Sequence, residues 1–112
     1  MSDKNVIIVI TSTPSATLNN YEALRTSIAL IDQKVSIIWR EQGVYNALKA
    51  ADHTLIRPFI RLFEDLDIDL CVDKHDLSER ALDGAELIPE VKTLERTEVL
   101  ALVCKADVVL TF

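Results

Sequence analysis

Val6-Ile7-Ile8-Val9-Ile10 is an unbroken run of aliphatic, β-branched residues. A strand with one wet face alternates apolar and polar side chains. This run does not alternate, so it reads as a strand covered on both faces, the habit of a parallel sheet between helical layers. Thr11-Ser12-Thr13-Pro14-Ser15 then reads as a loop. Tyr21, Leu24, Ile28 and Ile31 recur at helical spacing, with Asn19 or Asn20 as cap.

The same alternation of runs continues along the chain. Val35 to Trp39 is a second strand, Gly43 a break, and Val44 to Ala51 a short helix. Thr54 caps a helix whose apolar face is Leu55, Phe59, Phe63 and Leu66, with Pro58 in its first turn. Ile68 to Val72 is the third strand and Leu77 to Leu82 the next helix. Asp76 is its expected cap, with Glu79 completing a capping box. Leu87 to Lys92 reads as a short strand that Pro89 confines to an edge. Leu94 to Lys105 is helical, and Val108 to Phe112 is the last strand.

This order predicts an α/β fold over residues 1–112 as a single domain. Its architecture is three layers, a mostly parallel five-stranded sheet with helices on both faces and right-handed crossovers. The open edges and the apolar richness predict an oligomer.

Composition narrows the function. The chain has 112 residues, 49% of them hydrophobic but only 5% aromatic, so the core is aliphatic. With 2 Gly and 3 Pro it is neither loop-rich nor disordered. A formal charge of −6 argues against direct nucleic-acid binding, which needs clustered Lys and Arg. The polar start Met1 to Asn5 is no secretory leader, and no aliphatic stretch is long enough for a bilayer. The expectation is a cytoplasmic protein with no membrane partner. The two cysteines are expected as free thiols, and with two histidines no metal site is expected.

Cys71 is the leading candidate for chemistry. It sits near the carboxyl end of the third strand, where open α/β sheets bind their ligands. A thiol facing the next helix N-terminus favours thiolate. Lys74 and His75 support that form if their charge reaches the sulfur, whereas Asp73 and Asp76 oppose it. The competing reading is a core thiol, since free Cys is among the most buried residue types. Cys104, among Leu100 to Val103, reads as core packing.

Other segments carry weaker signals. The hydroxyls of Thr11 to Ser15 stand where doubly wound folds hold phosphate, but the loop lacks glycine and reads as a plain turn. Arg40 to Tyr45 follows the second strand at the same edge. There Gly43 supplies a positive φ or a close approach. Trp39 and Tyr45 read as interface anchors or as core. No dinucleotide fingerprint or Ser-His-Asp set is present.

With these segments in place, the chain resembles the DsrE/DsrF/DsrH superfamily of small sulfur-relay proteins, most closely its DsrF/TusC branch. The resemblance runs through Val6 to Ser15, Glu22-Ala23-Leu24, Gly43-Val44-Tyr45, Phe59 to Ile68, Leu77 to Leu82 and Asp107 to Phe112. It implies a flavodoxin-like fold and homo- or hetero-oligomers of related subunits. It also implies persulfide sulfur passed between donor and acceptor proteins, for tRNA thiolation or sulfur oxidation, with no cofactor. In that branch the catalytic cysteine belongs mainly to the DsrE/TusD subunit, and the DsrF/TusC subunit is often structural. The family cysteine lies just after the third strand. Cys71 falls in that region, and anchoring on Leu77 to Leu82 moves the column nearer Asp73. The resemblance therefore implies Cys71 as persulfide carrier, the thiol that Lys74 and His75 are read from the residues to support, or else a scaffold subunit without a carrier. A flavodoxin-like small-molecule binder is the remaining alternative.

Overall fold

The computed structural model describes residues 4–14 and 18–112, so Ser15 of the first loop lies outside the described residues. Five strands form one sheet in the order β4-β3-β2-β1-β5: β1 Asn5–Ile10, β2 Lys34–Trp39, β3 Asp69–Asp73, β4 Lys92–Leu94 and β5 Val108–Thr111. Every pairing is parallel. The helices are α1 Asn19–Ala29, α2 Arg57–Phe63, α3 Lys74–Glu79 and α4 Arg96–Lys105.

The strand order explains the layering. The first three crossovers each step one strand in the same direction, so right-handedness puts their helices on one face. The last crossover returns across the whole sheet, from β4 to β5, and puts α4 on the other face. The core divides accordingly. Val6, Ile8, Ile10, Val35, Ile37, Trp39, Leu70 and Val72 pack under α1, α2 and α3 through Leu24, Ile60, Phe63 and Leu77. Ile7, Val9, Ile38 and Cys71 pack under α4 through Val99. Each such buried aliphatic side chain contributes about 2 kcal/mol.

The two faces are unequally covered. A ten-residue helix is about 15 Å long and about 10 Å across. Five strands span about 19 Å between the outer axes, so one helix leaves part of the face bare. Val109, which pairs with Ile7 and shares its face, is accordingly 42% exposed. Leu100 on the back of α4 and Val108 on β5 are exposed as well.

Several sequence expectations are corrected. α1 has no side-chain cap. Asn20 instead turns inward, where its Oδ1 accepts the Trp39 indole N–H at 3.0 Å, and Asn19 donates to Ser12 Oγ. Trp39 is therefore core, not an interface anchor, while Tyr45 is half-buried. Thr54 does not cap α2, because its backbone and hydroxyl donate to the Asp52 carboxylate. The segment after β2 is a 3-10 helix over Glu41–Ala47. Gly43 there has no positive φ; a Cβ on it would lie 2.0 Å from Ile10 O, so glycine is required by close approach. The strand expected over Leu87 to Lys92 lies further on, at Lys92–Leu94, because β4 pairs in register with Cys71 to Asp73. Leu87 makes only an isolated antiparallel bridge to Leu48.

Candidate functional site

The carboxyl ends of β1, β2 and β3 converge at one corner. Thr11 N–H donates to Phe112 O at 2.9 Å, and Arg40 N–H donates to Ile10 O at 3.0 Å, which aligns the ends of β5, β1 and β2. β3 ends on Asp73, which is fully buried and is also the N-cap of α3. The expected cap Asp76 is displaced from that role because the strand runs one residue further than its apolar run, placing the turn three residues earlier. Asp73 accepts the Asp76 N–H at 3.2 Å.

Asp76 is buried as well and accepts the Glu41 N–H at 2.8 Å. Glu41 holds a positive φ of 51°, uncommon for a non-glycine residue, and this bond helps to fix it. The two carboxylates are joined by Arg96. β4 ends at Leu94, opposite Asp73, and Glu95 starts α4 through a capping box with Glu98. The first residue of α4 therefore overhangs β3. Arg96 Nε donates to Asp73 at 2.9 Å and its terminal nitrogen to Asp76 at 2.8 Å. Burial works against the Arg96 charge, but the bond to Asp73 and the charges of Asp73 and Asp76 outweigh it and hold the guanidinium above its ordinary value.

Cys71 lies two residues before this corner on the same side of β3. It pairs laterally with Ile38 and Lys92, is 3% exposed, and sits among Ile7, Val9, Ile38 and Val99. The thiol is pushed up to about 11, first by burial, then by the charge of Asp69, with Lys92 opposing and Glu98 adding to the rise. The expectation of an accessible, thiolate-favouring sulfur is thereby corrected. The strand ends at Asp73, not at Val72, so Cys71 is mid-strand and packed under α4.

The profile of the DsrE/DsrF-like family matches residues 4–112. The chain belongs to this family. Among solved structures it is similar to the ychN protein of E. coli, with 20% identity, a TM-score of 0.80, and 99% of this chain and 100% of that one covered. It is also similar to MTH1491 of Methanobacterium thermoautotrophicum, a protein of unknown function, with 12% identity, a TM-score of 0.72 and the same coverage. At these identities the likeness concerns the fold. No curated protein matches the sequence.

In this DsrE/DsrF-like chain the expected supporting residues do not gather around the sulfur. Lys74 Nζ pairs with Glu95 at 3.2 Å and His75 Nε2 with Glu79 at 2.7 Å, both at the surface. Cys104 is exposed, contrary to its expected place in the core. The stripe of α4 that meets the sheet is Val99, Leu102, Val103 and Ala106, and Cys104 lies off it. Of the first loop's hydroxyls, Thr11 Oγ1 donates to Phe112 O and Ser12 Oγ accepts from Asn19, as befits a turn.

The residues that sequence reasoning missed are Arg96 and Arg40. They are 56 positions apart and neither sits in a motif. The sole clue was that Arg40 continues β2 with the parity of Ile38, hence toward the α4 face. Among the described residues no helix is long and apolar enough to cross a membrane, and no three metal-ligating side chains cluster.

Proposed function

We propose that this chain is a TusC/DsrF-like subunit of a persulfide sulfur-relay assembly in the cytoplasm. In it the chain shapes the complex, and the sulfur is carried by a cysteine of a related subunit. Family membership supports the relay. The observation that carries the non-carrier role is the burial of Cys71 under α4, with Asp73, not a cysteine, at the strand end. Transfer proceeds by thiolate attack on a persulfide and depends on thiolate fraction and access. Cys71 has little of either. Delivery to tRNA thiolation or to sulfur oxidation both fit this role.

The contact surface in this reading is the part of the sheet that α4 leaves bare, with the β5 edge. Val109 exposes apolar surface on that face, Val108 on the other face of the β5 edge, and Leu100 on the outside of α4. By contrast the β4 edge is three residues long, carries Lys92 and follows Pro89, all features that discourage pairing.

The competing reading is carriage on Cys71 itself, with Lys74 and His75 released from Glu95 and Glu79 to stabilise the thiolate. It requires α4 to lift. Native mass spectrometry with a cysteine-bearing DsrE-type subunit tests the proposed role. A mixed assembly is expected for the wild-type chain and its loss for Val109→Lys, whose site is already solvent-exposed. A wild-type chain that stays monomeric beside such a subunit would refute the assembly role.

A further inference from the structure

Among the described residues Arg40 and Arg80 each keep a buried Nε without a hydrogen bond, and Arg40 makes no hydrogen bond through its side chain at all. It follows β2 directly, held by its N–H bond to Ile10 O. By strand parity it shares the α4 face with Thr11 on one side and Asp73 on the other. Its side chain is only 24% exposed. The nearest carboxylate oxygen, on Asp73, lies 3.5 Å from Nε, and that buried Nε makes no hydrogen bond. Among the described residues no hydrogen bond engages any of its guanidinium donors. A guanidinium has five donors and stays charged, so an ion pair at 3.5 Å leaves most of its hydrogen-bonding capacity unused and its buried Nε unsatisfied, which is costly.

The neighbouring acids do not need it. Asp73 is satisfied by Arg96 Nε at 2.9 Å and the Asp76 N–H at 3.2 Å. Asp76 is satisfied by Arg96 at 2.8 Å and the Glu41 N–H at 2.8 Å. Arg80 lies one helical turn after Asp76. It gives one terminal nitrogen to Asp76 O at 3.1 Å, and its own buried Nε has no partner. Arg96 and Arg40 thus face these carboxylates, and Arg80 is held on the Asp76 backbone carbonyl.

We propose that this corner binds a small tetrahedral oxyanion of the sulfate, thiosulfate or phosphate class, with Arg40 as its principal ligand. A planar guanidinium fork matches two oxygens of such an anion, and the charge-assisted pair is stronger than a neutral hydrogen bond. Thr11 stands beside Arg40 with a hydroxyl whose bond to Phe112 O is long, at 3.3 Å, and is free to turn toward a bound oxygen. The anion would bind whether or not the chain joins a relay assembly.

The test is calorimetric titration of the full chain with thiosulfate, sulfate and phosphate at ionic strength held constant with chloride. Wild type is expected to bind at least one of them in the millimolar range or tighter. Arg40→Gln should weaken that binding about tenfold or more, the worth of a charge-assisted bond. Arg40→Lys, which keeps charge but not the fork, should fall between the two. Arg25→Gln, at an exposed residue paired with Glu22, should match wild type. Unchanged affinity in Arg40→Gln, or no heat from any of the three anions with wild type, would overturn the proposal. If Arg40→Gln does not fold, as judged by circular dichroism, Arg40→Lys decides, and affinity equal to wild type there is the overturning result.

Discussion

In the native chain near neutral pH, a soluble thiol reagent is expected to modify Cys104 quickly and leave Cys71 untouched until the protein is unfolded. Cys104 is exposed. The Cys71 thiol is raised from 9.0 to about 11, and two pH units cut the reactive thiolate about a hundredfold before steric shielding is counted. The same shift fixes a pH dependence of stability. Unfolded Cys71 loses its proton near 9.0, whereas folded Cys71 keeps it to about 11. Ionisation therefore favours the unfolded state. The stabilisation is complete below about pH 9 and is lost as pH rises through about 11, to a total of about 3 kcal/mol. Urea midpoints of wild type and Cys71→Ser across that window isolate the effect, because lysine and tyrosine titration is common to both. Equal native rates for the two thiols, or parallel pH curves for the two proteins, would show that Cys71 is accessible.

Asp73→Ala is expected to lower stability by about 3 kcal/mol in urea unfolding. The substitution removes a fully buried carboxylate that caps α3 and binds Arg96. Breaking a buried pair by deleting one partner costs about 3 to 5 kcal/mol, because the other charge is stranded. Arg96 remains about one-third exposed and keeps Asp76, which brings the value to the lower end. Asp73→Asn retains a capping acceptor and should cost less. In a double-mutant cycle with Arg96→Ala the two losses should fall short of additive, since they share one interaction. A loss below about 1 kcal/mol for Asp73→Ala would mean that the corner is held by something other than this ion cluster.

The strands of the sheet interior were legible because their signal is local. Val6 to Ile10 is an unbroken apolar run, and Val35 to Trp39 and Ile68 to Val72 are each interrupted by a single polar residue, Ser36 and Asp69; strands covered on both faces carry such near-continuous runs. β4 was misplaced for the opposite reason. Lys92-Thr93-Leu94 is short and polar, and its place is set by pairing with β3. The α3 cap was missed because Asp73 and Asp76 both suit the pattern. The choice is made by where β3 stops and by Arg96 arriving from α4, 20 or more residues away in sequence.

The position of Cys71 turned on the same point. Extending β3 to Asp73 moves the sulfur from the strand's end to its middle, from reachable to sealed. Cys104 was assigned by its apolar neighbours in sequence, but on a helix its neighbours in space lie three and four residues away. The charged corner was legible only in part: Arg40, Asp73 and Asp76 stood out beside strand ends, but the bond to Arg96 joins segments 20 or more residues apart.

The deciding measurement is the intact mass of the folded Cys104→Ser chain after exposure to a persulfide donor. If the sulfur of the relay travels on another subunit, this protein gains no sulfur and its mass is unchanged. A gain of about 32 Da per sulfur atom, lost again when Cys71 is also replaced, would establish Cys71 as a carrier and contradict the structural role.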